Sequence, residues 1–133
     1  MFADYDYSQL PNVKVKLNNV IDDDDFDEFL KEWLKLYIKK EKYSFIFDTT
    51  NVSNVPLKYS IRMAEFIKEL KNNEIQYLEK SIILINNSFV KQMLNIILRL
   101  QSPVAPIYLV SNETEIDLIL NNGDISNIQC IMP

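Results

Sequence analysis

The chain has 133 residues, 47% hydrophobic and 25% charged, with a net charge of −5. It has no histidine, one glycine and one cysteine. These counts exclude imidazole catalysis, glycine-rich phosphate cradles, an internal disulfide and paired-cysteine metal sites. The acidic balance argues against nucleic acid, whose phosphates need a Lys/Arg footprint.

In chain order, Phe2–Tyr7 reads as a short edge strand closed by Leu10-Pro11. Val13, Val15 and Leu17 then alternate with Lys14 and Lys16, the period of a half-exposed strand. Phe26, Phe29, Leu30, Trp33, Leu34, Tyr37 and Ile38 recur at steps of three and four and predict the first helix. The acidic run Asp22–Asp25 opens it and Lys35, Lys39 and Lys40 close it, as the helix dipole favours.

Ser44–Phe47 is a short apolar strand ending at Asp48. Pro56 suits the first turn of a second helix to about Lys71, with Leu57, Ile61, Ala64, Ile67 and Leu70 as its core stripe. A second stripe, Tyr59, Met63, Phe66 and Leu70, runs beside it. Ile82–Ile85 is a third apolar strand, and Ser88 is placed to cap a third helix through Leu100. That helix carries Phe89, Val90, Met93, Leu94, Ile96, Ile97, Leu98 and Leu100, apolar on more than one face, so it is either sandwiched or exposes a strip.

Ile107–Val110 is a further buried-type strand, and Asn112 with Glu115 has capping-box spacing before the last helix. Asn121-Asn122-Gly123 stops that helix. The tail, with Ile125, Ile128 and Ile131, fits no period. The alternation predicts one α/β domain over residues 1–133, with a single mixed, mostly parallel sheet of four or five strands and about four helices. The pairs Asn72-Asn73, Asn86-Asn87 and Asn121-Asn122 stand where turns often take glycine.

Candidate chemistry is sparse. Asp48 lies at the carboxyl end of a strand, where open α/β sheets place ligands, and could serve Mg²⁺-dependent phosphoryl chemistry or simply cap its turn. Read as a calcium loop, Asp22–Asp25 places Asp27 at the turn-glycine position and Trp33 at the bidentate-Glu position, so it fits helix capping instead. The apolar runs are too short to span a bilayer, and the acidic start lacks a signal-peptide layout. With one cysteine, the expected setting is reducing and cytoplasmic.

The stretch Phe45-Ile46-Phe47-Asp48-Thr49-Thr50-Asn51-Val52-Ser53-Asn54-Val55-Pro56-Leu57 resembles the strand-loop-helix opening of STAS domains, the anti-sigma-factor-antagonist fold. Tyr77–Phe89, the apolar helix after it and Pro106–Val110 are similar to the related lipid-binding CRAL-TRIO (Sec14-like) domain. The STAS resemblance implies a non-catalytic protein-interaction domain without cofactor, binding a protein partner or a second copy through Asp48, Thr50, Ser53, Lys58 and Tyr59. The phosphorylatable Ser and the Gly of STAS regulators are not found at the matching Pro56, Leu57, Lys58 and Tyr59. The CRAL-TRIO resemblance implies a lipid or small apolar ligand, held by a surface including Phe66, Phe89, Met93 and Ile97.

Overall fold

The computed structural model describes all residues from Met1 to Pro133. Six strands form one sheet: β1 (Ala3–Gln9), β2 (Asn12–Leu17), β3 (Tyr43–Asp48), β4 (Leu78–Leu84), β5 (Ile107–Val110) and β6 (Gln129–Ile131). Four helices intervene: α1 (Asp23–Ile38), α2 (Leu57–Leu70), α3 (Ser88–Leu100) and α4 (Glu113–Leu120). The strands lie in sequence order, with β2 to β5 parallel and the outer strands β1 and β6 antiparallel to their neighbours. The sheet therefore has six strands, not the four or five expected. The additional strand, β6, comes from the tail, whose three paired residues are too few to display a period of two.

Sequential parallel strands joined by right-handed crossovers carry their helices on one face. Accordingly, α1, α2 and α3 cover the face that presents Val13, Val15, Phe45, Phe47 and Ile83. The short α4 packs on the opposite face, where Ile116 and Ile119 meet Ile46, Ile82 and Val110. β3 is buried from both sides as a result, which explains its unbroken apolar run. No helix is long and apolar enough to cross a membrane.

Three helices, α1, α3 and α4, are capped by aspartate or asparagine side chains in extended backbone, whereas α2 starts after Pro56 with no side-chain cap. Asp22 accepts from the Asp25 amide, Asn87 from the Val90 amide and Asn112 from the Glu115 amide, each at 2.9 Å. The cap of α3 is thus Asn87, one residue before the expected Ser88. Glu115 reaches back to the Ser111 amide and hydroxyl instead of closing a box with Asn112.

The core stripe of α2 is also rotated from expectation. Leu57 and Ile61 are 59% and 41% exposed, while Tyr59, Ser60, Ala64, Phe66, Ile67 and Leu70 are buried. Tyr59 fixes this rotation: its ring lies 5.0 Å from Phe26, and its hydroxyl donates to Asp23 Oδ1 at the start of α1. On α1, Leu34 and Ile38 are likewise exposed. On α3, Val90, Leu94 and Ile97 are buried, while Ile96 and Leu100 are exposed one turn apart.

Candidate functional site

A cavity of about 120 Å³ lies between the helical layer and the sheet. The sheet contributes Phe47, Ser81, Ile83 and Ile107 to its wall, and α2 contributes Tyr59, Ser60, Met63 and Ile67. From α3 come Val90, Met93, Leu94, Ile97 and Leu98. An aromatic wall of Phe2, Phe26, Phe29 and Trp33 closes the α1 side. Val52 and Val55, in the loop after β3, form part of the lining near the carboxyl ends of β2 and β3.

Eighteen of the 21 lining residues are hydrophobic, and the other three are Thr49, Ser60 and Ser81. The Thr49 hydroxyl donates to the Leu84 carbonyl at 2.7 Å. No carboxylate or ammonium group lines the space, and no cluster of acidic or cysteine side chains anywhere is placed to hold a metal ion. Such a space offers dispersion and desolvation to an apolar group.

Magnitudes show why this space matters. Cavities in protein cores cost about 24 cal/mol per Å³. A space of 120 Å³ forgoes at most about 3 kcal/mol of stability relative to a filled core. An engineered apolar cavity of about 150 Å³ stays dry and binds benzene. The present cavity falls in the same range of size and polarity.

The sequence-predicted residues fall in the cavity wall, in the core beside it and toward the surface. Tyr59, Met93 and Ile97 line the cavity. Phe66 is buried, but outside it: its ring packs edge-on against Trp33 at 5.1 Å. Phe89 is half-buried at the start of α3 and does not reach the lining. Asp48 is half-buried, and its Oδ1 accepts from the Thr50 amide at 2.9 Å and the Thr50 hydroxyl at 2.7 Å, a turn-capping arrangement. Thr50, Ser53 and Lys58 are exposed.

The loop after β3 is fastened over the cavity by asparagines. Asn19 donates to the Ser53 hydroxyl at 3.0 Å and accepts from the Ser53 and Asn54 amides at 2.9 and 3.2 Å. Asn87 donates to the Val52 carbonyl at 3.1 Å while it caps α3. Lys58 Nζ lies 3.1 Å from Asp23 Oδ1. The Tyr59 hydrogen bond, then Lys58, holds the Asp23 carboxyl below its ordinary range.

Beside the cavity, Trp33 and Tyr43 have buried polar atoms, Nε1 and Oη, without a partner at hydrogen-bond distance. Burial, and after it the neighbouring Tyr37, pushes the Tyr43 phenol well above its ordinary range.

Sequence reasoning missed Ser60, Ser81 and Val52. A signal for Ser60 was present: with Ala64 and Ile67 it forms an inward stripe at steps of four and three. Ser81 fell outside the expected strand because β4 starts earlier, at Leu78. No protein-family model matches the chain, and no curated protein matches its sequence.

Proposed function

We propose that this chain is a non-catalytic binding domain for a small apolar ligand, held between the sheet and the α2–α3 layer. The single observation that supports this reading is the apolar, 120 Å³ cavity walled by aromatic rings, methionines and aliphatic side chains. It follows the lipid-binding side of the family resemblance, with a limit set by size. The ligand is a compact hydrocarbon or the terminal carbons of a longer chain, since a volume near that of a benzene site cannot take a whole phospholipid. The absence of a charged lining group disfavours a buried carboxylate or phosphate headgroup, because an unpaired buried charge is costly.

Trp33 lines the cavity and is the sole tryptophan, so its emission reports occupancy. Titration with bromobenzene, whose heavy atom quenches indole fluorescence on contact, should give saturable quenching. Quenching that only rises linearly with bromobenzene, as for collisions from bulk solvent, would contradict the reading.

A second reading, docking of a second copy, is favoured by the outer face of α2. Leu57 and Ile61 are exposed there one turn apart. They are flanked by the intrachain ion pairs Lys58–Asp23 and Arg62–Asp27, a polar rim around an apolar centre. Sedimentation equilibrium should then show concentration-dependent dimerisation that Leu57→Ser/Ile61→Ser abolishes. A monomer at all concentrations would remove this reading.

A further inference from the structure

We infer that Ser60 and Ser81 determine the size of the ligand by holding the cavity open from its two sides. This rests on the apolar-ligand reading and goes further, to the residues that set its specificity. Ser81 occupies a central strand, between Phe45 on β3 and Ile107 on β5 in the same row of the sheet. Every other member of that row from β2 to β5 is a large apolar side chain: Val13, Phe45 and Ile107. Buried parallel strands favour such residues throughout. Ser60 stands opposite in the helical layer, buried on the inward stripe of α2.

Both serines are almost fully buried, at 3% and 5% exposure, and both line the cavity. A small side chain at each of these positions leaves volume that valine or isoleucine would fill. Core sites are ordinarily packed to crystal-like density. A retained void is the kind of stability loss that accompanies a binding function. Thr49, the remaining polar lining residue, is committed to the Leu84 carbonyl and does not control the volume in this way.

With the remainder of the wall apolar, discrimination rests on volume, and a pocket of this kind separates ligands by about 10- to 200-fold per methylene. Larger side chains at positions 60 and 81 should therefore shift acceptance toward smaller ligands, and alanine should preserve it.

Benzene serves as the probe, with thermal unfolding of the full chain measured in its absence and presence. Wild type should gain melting temperature when benzene is added. Ser81→Ile and Ser60→Val should melt higher than wild type without benzene and gain little on its addition, their affinity reduced about tenfold or more. Ser81→Ala should keep the benzene response. If wild type responds and the filled variants respond equally, the two serines do not set the volume and the inference is overturned while the apolar-ligand reading stands. If wild type does not respond, both fail. Should Ser81→Ile misfold, Ser81→Val and Ser60→Val carry the same comparison, and a retained benzene response in both overturns the inference.

Discussion

The helical layer is packed in two different ways along the sheet. On the α1 side, rings fill the space against β3: Trp33 lies 4.9 Å from Phe45, Phe45 lies 4.7 Å from Phe47, and Phe66 closes on Trp33 from α2. Toward α2 and α3, the neighbours are Ser60, Ala64, Ser81, Met63 and Met93, and here the cavity remains. Both regions cover the same face of the same sheet, so the difference lies in side chains and not in topology. Large rigid rings with edge-to-face contacts build the scaffold. Small and flexible side chains beside it leave room for something else.

The strongest way to break this comparison is to remove a ring. Phe45 is completely buried, and Phe45→Ala should cost about 3–5 kcal/mol in urea unfolding followed by Trp33 emission. A loss under about 1 kcal/mol would mean that the α1 side is no better packed than the other.

Alkali should open the same region. Burial raises the Tyr5 and Tyr43 phenols, first among its causes, above the ordinary value of 10.0. A group whose folded value is raised stabilises the fold fully below its unfolded value and progressively less above it. Stability should therefore fall as pH rises past 10.0, and the last phenolate absorbance to develop should appear together with the loss of tertiary signal. Ionisation of all seven tyrosines with the tertiary signal intact would place these hydroxyls in contact with solvent.

On the cavity side the sign reverses. Ser81→Val should stabilise by about 1 kcal/mol, as cavity filling does elsewhere, where valine in a tightly packed core would cost about 1–3 kcal/mol through strain. Asn87→Ala removes both the α3 cap and the tie to the Val52 carbonyl. It should cost about 1–2 kcal/mol and, by loosening the loop over the cavity, speed ligand exchange in relaxation-dispersion NMR. Asp48→Asn keeps the acceptor for the Thr50 amide and should change stability by less than about 0.5 kcal/mol. A larger change in a denaturant midpoint would assign the Asp48 charge a role that its turn does not explain.

The α/β alternation was legible because its signals are local. The α1 stripe, the β3 run and the Asn112 cap can each be read within a few residues. What was less legible depended on distant partners. Leu57 and Ile61 obey helical periodicity, yet α2 turns them outward because Tyr59 is held by Asp23 and Phe26, some thirty residues away. The asparagine pairs illustrate the same division. Only Asn122 adopts the left-handed backbone expected of such residues, at φ 55°, and Lys40 adopts it after α1. Asn73 instead donates to the Leu70 carbonyl, and Asn87 works through its side chain at two sites. At the lone glycine, Gly123, a Cβ would stand 2.7 Å from Leu118 Cδ2, so that leucine side chain would have to turn aside.

The cavity was the least legible feature, since a void is a property of which side chains face one another across layers. Met93 and Ile97 could be singled out from the apolar excess of α3. Ser60 and Ser81 look ordinary until β4 and α2 are set against each other.

The most direct test of the central claim is amide and methyl NMR of the chain with and without benzene. Shifts concentrated on Ile83, Val90, Leu94 and Ile97, with Val110, Ile116 and Ile119 on the opposite face unmoved, are the predicted result. Equal small shifts on both faces, or none at all, would contradict it.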